Sequence, residues 1–189
     1  SCSLVGSEMC IRDRNQFFGM FWGRQDVYAK RSVNKGTGKV AYYPQCNNLW
    51  TSGCHRKLKD GINCKDCKSR SYKTITKFII LNHLQGNSYN GSDVIGVYPL
   101  FSNGTCRFMV FDFDNHDKRA EENDFENVDD TWIEEVEAMR EICVLNGIDP
   151  LVERSRSGKG AHIWIFFDKP IAASLVRKFG FALLDKGAE

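Results

Sequence analysis

The sequence predicts an α+β protein, with an antiparallel sheet and helices on one of its faces. Apolar, β-branched and aromatic runs with strand-like alternation recur between residues 93 and 167, and stretches with helical spacing separate and follow them. The order strand, strand, helix, strand, strand, helix is typical of this class. No apolar run approaches the roughly 18 to 20 residues that a membrane span needs. We therefore expect a soluble, cytoplasmic protein of one domain, or of one domain with a small appendage.

The first strand pair is predicted around an Asn-Gly turn. Residues 93–100 and 105–114 are apolar runs, and the segment between them contains Asn103 and Gly104. Asn-Gly between two such runs is a strong hairpin signal. We predict two antiparallel strands that pair directly with each other.

The first helix is predicted to begin at a cap on Asp129 or Asp130 and to run to about Asn146, with Gly147 as its stop. Apolar residues recur on one face of this segment at helical spacing. They are Ile133, Val136, Met139 or Arg140, Cys143 and Val144.

A second strand pair is predicted at residues 151–155 and 161–167, around a loop that contains glycine. Pro170 is expected to open a turn, with Asp168 just before it, into a helix from about residue 172 to 184. Both strands and this helix complete the predicted sheet and its helical layer.

Strand alternation gives the aspartates of "FMVFDFDNH" a geometry. Val110, Asp112 and Asp114 share one face, and Met109, Phe111 and Phe113 share the face assigned to the helices. Residues two apart on a strand are about 6.6 Å apart. Both carboxylates could thus bind a pair of Mg²⁺ or Mn²⁺ ions, which prefer oxygen ligands. The alternative is a polar strand end that caps a turn.

The stretch "ERSRSGKGAHIW" indicates a phosphate-binding loop. Gly158 and Gly160 let the backbone approach a ligand closely, and Arg154, Arg156 and Lys159 supply positive charge. It is not a Walker A loop, because the spacing differs and no helix follows directly. On the strand that follows, His162 shares a face with Trp164 and Phe166, opposite the core-facing residues Ile163, Ile165 and Phe167. We expect His162 to contact a triphosphate, the alternative being a structural histidine.

Four cysteines cluster within 22 residues and predict a structural zinc site. Cys64 and Cys67 form a Cys-x-x-Cys pair, and Cys46 and Cys54 can complete a tetrahedral S4 site. A disulfide framework and free structural thiols are the alternatives, and His55 is left out because neighbouring residues rarely bind one metal. We expect the thiols to stay reduced inside the cell.

Charge is unevenly distributed although the net charge is only +2. Residues 54–77 hold eight Lys/Arg and two Asp, a formal +6, whereas residues 115–141 hold eleven acids and three bases. Zinc with four thiolates would lower the former to about +4, which still suits phosphate groups. The basic segment thus indicates an anionic partner, or simply a solvated surface. Trp50 and Tyr72 could stack on bases there, although structural packing is the commoner use of each.

The beginning of the chain is interpreted separately. Residues 4–14 can be encoded by a transposase-end sequencing adapter, so residues 1–14 are interpreted as a non-native segment, with a short native N-terminus as the alternative. On this interpretation Cys2 and Cys10 carry no meaning. Residues 15–45 are then an N-terminal helix and strand region, 46–78 the zinc-binding basic element and 79–189 the catalytic core.

These motifs, in this order, resemble the archaeo-eukaryotic primase superfamily of primase-polymerases, and most closely the primase module of TOTE conflict systems. An apolar strand ends in Asp-x-Asp, and a glycine-rich loop then leads to Gly-Ala-His. The resemblance extends over "FWGRQDVYAKR", "AYYPQCNNLW", "DVIGVYPL", "FMVFDFDNH", "LVERSRSGKGAHIWIFF" and "RKFGFALLDKGAE".

The resemblance implies an RRM-like catalytic sheet and a template-directed nucleotidyltransferase that joins NTPs or dNTPs. Asp112 and Asp114 would hold Mg²⁺ or Mn²⁺, and Arg156, Ser157, Lys159 and His162 would hold the triphosphate. Single-stranded DNA template or primer-template would be the partner, gripped in part by the zinc element. Helicase and nuclease modules would be neighbours by family analogy, and DNA replication chemistry the context.

One departure concerns the metal site. The superfamily uses a third carboxylate on a later strand, and neither Asp168 nor Asp185 follows an apolar strand. We expect the chain to stop before this ligand and to be weak or inactive by itself. A metal-dependent nuclease and a zinc-bearing nucleic-acid-binding module without catalysis are the alternative functions.

Overall fold

The chain folds into two compact units that divide between Ser102 and Asn103. A computed structural model describes residues 11–114, 131–156 and 158–187, without the side chains of residues 11–13. Within these residues there are two three-stranded antiparallel sheets and five helices. The predicted α+β class is confirmed. No helix in this part of the chain is long and apolar enough to cross a membrane.

The first unit contains a sheet in the order β2-β1-β3. Its small core is formed by Tyr28, Ile75 and Ile80, with other apolar residues packed around them. The strands are β1 (Ala29–Val33), β2 (Val40–Pro44) and β3 (Ile95–Gly96), and the helices are α1 (Ile11–Met20), α2 (His55–Leu58) and α3 (Lys77–Gln85).

The second unit contains a sheet in the order β4-β6-β5, and both of its helices pack on one face of it. That face buries Phe111, Ile163 and Ile165 from the strands against Met139 and Leu183 from the helices. Helices on one face of the sheet were predicted, and this unit has them. The elements are β4 (Thr105–Asp114), α4 (Thr131–Leu145), β5 (Leu151–Arg154), β6 (Gly160–Ala172) and α5 (Ala173–Gly187).

The predicted hairpin of residues 93–100 with 105–114 is wrong. Only Ile95–Gly96 is a strand there, and it pairs with β1, whereas β4 pairs with β6. The Asn-Gly turn itself forms, since Gly104 has φ +77° and the Thr105 N–H donates to Asn103 Oδ1 at 3.1 Å. A local Asn-Gly signal specifies the turn, but the partner of a strand depends on which edge lets it bury its apolar side chains.

Helix α4 buries the predicted residues Val136, Met139 and Cys143. Ile133 and Val144 were also expected on the buried face, but they are 44% and 56% exposed. Gly147 follows the helix with φ +72°, as its predicted role as a stop requires. The predicted caps Asp129 and Asp130 lie outside the described residues.

The predicted turn at Asp168 and Pro170 is wrong, because β6 continues to Ala172. The ladder with β4 changes register there, from Phe108 opposite Phe166 to Cys106 opposite Ile171. Proline has no N–H to donate to a ladder and is tolerated where pairing is interrupted. The irregular stretch thus accommodates Pro170 without ending the strand, and helix α5 begins at Ala173.

The compact units divide the chain differently from the four predicted segments. Helix α1 crosses residue 14, and the first unit extends to Ser102 because Ile80 and Ile95 pack in its core. The boundaries of the four predicted segments stay predictions.

Candidate active site

The open face of the second sheet carries the Asp-x-Asp pair. Asp112 and Asp114 are exposed at the end of β4, and Val110 on the same face is 41% exposed. Phe111, between Val110 and Asp112 in sequence, is only 8% exposed and belongs to the core. Strand alternation therefore places the two carboxylates together, away from the helices, as predicted.

A row of three polar residues crosses this face, one from each strand. His162 on β6 is opposite Asp112 on β4 and also opposite Glu153 on β5. The His162 Nε2 atom is 3.4 Å from Asp112 Oδ1, and the Nδ1 atom is 3.3 Å from Glu153 Oε2. The histidine is thus flanked by two carboxylates, and sequence reasoning identified only one of them.

Aromatic residues continue the face beyond His162. The Trp164 indole N–H donates to Glu153 Oε2 at 2.9 Å, and its ring centroid is 5.9 Å from that of His162 in an edge arrangement. Trp164 is also stacked with Phe166, at 6.4 Å between centroids. The predicted shared face of His162, Trp164 and Phe166 is present.

The glycine loop joins β5 to β6 beside the aspartates. Gly158 has φ +74°, and its carbonyl accepts from Arg154 Nε and Nη2 at 3.1 and 2.9 Å. Gly160 is opposite Asp114, and a Cβ there would lie 2.3 Å from the Phe113 carbonyl oxygen. Glycine is therefore required at 160 by the close approach of β4.

The predicted phosphate ligands are placed unequally. Arg154 uses its guanidinium to close the loop on Gly158, while Arg156 is exposed and Lys159 is half-buried. Ser157 lies outside the described residues. The structure thus brings the loop, His162 and the aspartates to one end of the sheet.

Two side chains on this face have the oxygen donors that divalent cations prefer. Asp112 and Asp114 offer exposed carboxylate oxygens, which suit Mg²⁺ or Mn²⁺. Across residues 11–114, 131–156 and 158–187, however, no three His, Cys, Asp or Glu side chains form a group that could hold a metal ion. The two carboxylates fit such ions by chemistry but do not form a complete site.

The four clustered cysteines line one pocket of the first unit. Cys46, Cys54, Cys64 and Cys67 all contribute to its wall, and each is a free thiol. The pKa of the Cys54 thiol is lowered, chiefly by a hydrogen bond from the backbone of Trp50. Four cysteine residues around one pocket suit zinc by donor type, although they too form no converged metal group within the described residues.

Basic and aromatic residues surround this pocket. Arg56 and Arg70 line it, and the Arg56 guanidinium carbon is 3.4 Å from the Tyr43 ring centroid. Tyr72 is half-buried, and its hydroxyl donates to the Cys64 carbonyl at 3.2 Å. His55 contacts Asp60 instead of completing a thiol site, with Nδ1 and Oδ2 2.5 Å apart.

A carboxylate pair, a histidine and a glycine loop thus share one end of the open face of the second sheet. Residues 13–189 match the family model described as TOTE conflict system, Archaeo-Eukaryotic Primase domain, and the chain belongs to this family. Membership implies nucleotide and nucleic-acid binding in general and suggests primase or nucleotidyltransferase activity. No curated protein matches the chain.

Glu153 is the residue that sequence reasoning missed. It is a polar residue in the short run "LVERS", on the same strand face as Leu151 and on the opposite face from Val152. Counting outward from the loop, Arg154 pairs with Ala161 and Glu153 with His162. A hairpin register drawn from the glycine loop would have identified it.

Proposed function

We propose that this chain carries the nucleotidyl-transfer site of a DNA primase-polymerase, which joins NTPs or dNTPs on a single-stranded DNA template or a primer-template. One observation carries the proposal: Asp112 of the Asp-x-Asp pair lies directly opposite His162, 3.4 Å away, while Asp114 lies opposite Gly160 of the glycine loop. The candidate cation ligands and the candidate triphosphate ligands thus occupy one end of one sheet.

Asp112 and Asp114 would hold Mg²⁺ or Mn²⁺. When bound, a metal pair activates the attacking hydroxyl and stabilises the charge that develops on the leaving pyrophosphate. The primer 3′-hydroxyl, or that of an initiating nucleotide, then forms a bond to the α-phosphorus as the bond to the pyrophosphate oxygen breaks. Both carboxylates are exposed on the open face.

The triphosphate would be held by His162, Arg156, Ser157 and Lys159. Cationic and N–H donors form the strongest hydrogen bonds to phosphate oxygens. Arg154 has a different task, because its guanidinium donates twice to the Gly158 carbonyl and so keeps the loop in shape.

The order of the second sheet supports an RRM-like catalytic core. Strand β4, helix α4, strands β5 and β6 and helix α5 follow one another, and β6 lies between β4 and β5 in the sheet. This is the order of the first five elements of a split βαβ fold.

The cysteine pocket would hold a structural Zn²⁺, with Cys46, Cys54, Cys64 and Cys67 as ligands. The common pocket and the lowered pKa of Cys54 support this. The basic residues around it would then grip template or primer phosphates, and helicase and nuclease modules would be partner domains by family analogy.

The aspartate pair is the place to test transfer. In this protein, Asp112→Asn combined with Asp114→Asn should reduce primer synthesis on single-stranded DNA by a factor of 10³ or more, roughly the loss of a whole catalytic unit. Zinc content, measured by atomic absorption, should not change. Unchanged synthesis by the double variant would contradict the proposal.

A metal-dependent nuclease is the alternative enzyme, since carboxylates and a histidine also suit phosphodiester hydrolysis. Labelled DNA incubated with Mn²⁺, with and without NTPs, distinguishes the two activities. Lengthening that requires nucleotides supports the primase, and shortening without them supports the nuclease. A binding module without catalysis would retain DNA binding and show neither.

A further inference from the structure

We propose that Glu153 is a positioning residue that holds the His162 ring by its Nδ1 atom. The inference rests on the proposed function only in one respect, namely that the His162 ring binds a nucleotide. The geometry belongs to the chain alone and can be tested without substrate.

A single carboxylate oxygen connects the two aromatic neighbours. Glu153 Oε2 accepts from the Trp164 indole N–H at 2.9 Å and lies 3.3 Å from His162 Nδ1. An indole nitrogen can only donate, so the direction of the first bond is certain. Trp164 therefore anchors the carboxylate in the place where it meets the imidazole.

This anchored carboxylate selects one state of the ring. An ionised carboxylate only accepts hydrogen bonds, so its bond with His162 requires a proton on Nδ1. The bond made by one ring nitrogen determines the role of the other. Nε2 then carries no proton in the neutral ring, so its 3.4 Å contact with Asp112 Oδ1 is an ion pair only when the ring is protonated.

The row is accessible to a ligand. The side chains of His162, Glu153 and Asp112 are 30%, 53% and 60% exposed. An exposed ion pair adds little to the stability of a fold, so stability is a weak reason for this arrangement. Orientation of the imidazole is a sufficient reason for it, because a group that hydrogen-bonds to the second nitrogen of a functional histidine strongly affects binding and rate.

The test is the tautomer of His162, measured by two-bond ¹H–¹⁵N NMR on the labelled 189-residue chain at a pH where imidazole is neutral. In the unchanged chain, His162 should show a protonated Nδ1 and an unprotonated Nε2. Glu153→Ala should shift the ring toward the Nε2–H form and move the Trp164 indole N–H resonance. Glu153→Gln keeps an acceptor oxygen and should retain more of the original pattern than the alanine variant does.

Glu134→Ala, on helix α4 and outside the row, is the matched control for loss of one carboxylate. Far-UV circular dichroism checks that each variant folds. A His162 pattern that Glu153→Ala leaves unchanged overturns the inference, as does an equal change in the control. If the alanine variant unfolds, Trp164→Phe decides the question, because it removes the indole N–H that anchors Glu153 Oε2: a shift of the ring toward the Nε2–H form supports the inference, and an unchanged His162 pattern overturns it.

The kinetics of nucleotide incorporation separate this inference from the proposed function. Glu153→Ala should raise KM for the incoming nucleotide on the order of ten-fold, with a smaller change in kcat. An intact tautomer effect in a protein that never incorporates nucleotides would sink the proposed function and leave the positioning role standing.

Discussion

Trp50 has an unusual conformation for an exposed aromatic residue. It is 59% exposed with φ +67°, a region that non-glycine residues rarely adopt. The Arg56 guanidinium carbon lies 5.9 Å from its ring centroid, whereas Tyr72 is held by a hydrogen bond to the Cys64 carbonyl. Of the two aromatic residues that could stack on bases, Trp50 is therefore the one with the more exposed ring.

Trp50→Ala should weaken binding of single-stranded DNA by about 1 to 3 kcal/mol, the usual contribution of one stacked base. Fluorescence anisotropy with a labelled oligonucleotide at fixed salt measures the loss. Tyr89→Ala is the matched control, since Tyr89 is fully exposed in another loop of the same unit. Equal affinities of Trp50→Ala and the unchanged chain would exclude a stacking role.

Residue chemistry and strand alternation made most of the second unit's site predictable. Asp112, Asp114 and His162 share the open face because side chains alternate along any strand. The role of Arg154 could not be predicted in the same way, because its hydrogen bond to the Gly158 carbonyl depends on the folded shape of the loop.

At the scale of the elements, β4 lies very close to the start of β6. A Cβ on Gly160 would lie 2.3 Å from the Phe113 carbonyl oxygen, which belongs to the backbone and cannot move aside alone. The strands would have to separate at the very place where Asp114 faces the loop. This contact therefore couples the geometry of the glycine loop to that of the aspartate pair.

Gly160→Ala should lower the free energy of unfolding by about 1 to 3 kcal/mol, the usual cost of overpacking. Urea denaturation followed by circular dichroism measures it. Gly19→Ala is the control, since Gly19 is in helix α1 with nothing within 4 Å of an added Cβ, and alanine favours a helix there. The expectation fails if both substitutions have the same effect.

At the element scale, the sequence predicted helix α4 and the β5–β6 pair but assigned a wrong partner to β4. The helix carries its own periodic signal and a glycine stop. A strand has no local signal for its partner, so β3 could pair with β1 while β4 paired with β6.

For the whole molecule, the division into two units makes a distinct prediction about zinc. The four cysteines lie in the first unit, and the β4-β6-β5 sheet lies in the second. A structural metal contributes free energy mainly to the part that it holds. Loss of zinc should therefore loosen one unit and leave the other folded.

Cys64→Ser should lower the zinc content from about one per chain, and a chelator should have the same effect on the unchanged protein. Hydrogen exchange should then speed up across residues 46–72 while amides of β4 and β6 stay protected. Cys106→Ser is the control, because this buried cysteine lies in the second unit and should not affect zinc. A full zinc complement in Cys64→Ser, or an equal loss in the control, would contradict the S4 site.

The sequence by itself determined the α+β class, the faces of β4 and β6 and the family. These follow from local periodicity and from the order of short motifs, which do not depend on distant contacts. Only the tertiary structure decided that β3 belongs to a different sheet from β4. It also decided that Glu153 on β5 lies beside His162, on the side opposite to Asp112. Strand pairing joins residues far apart in sequence, and it is selected by the burial of whole faces.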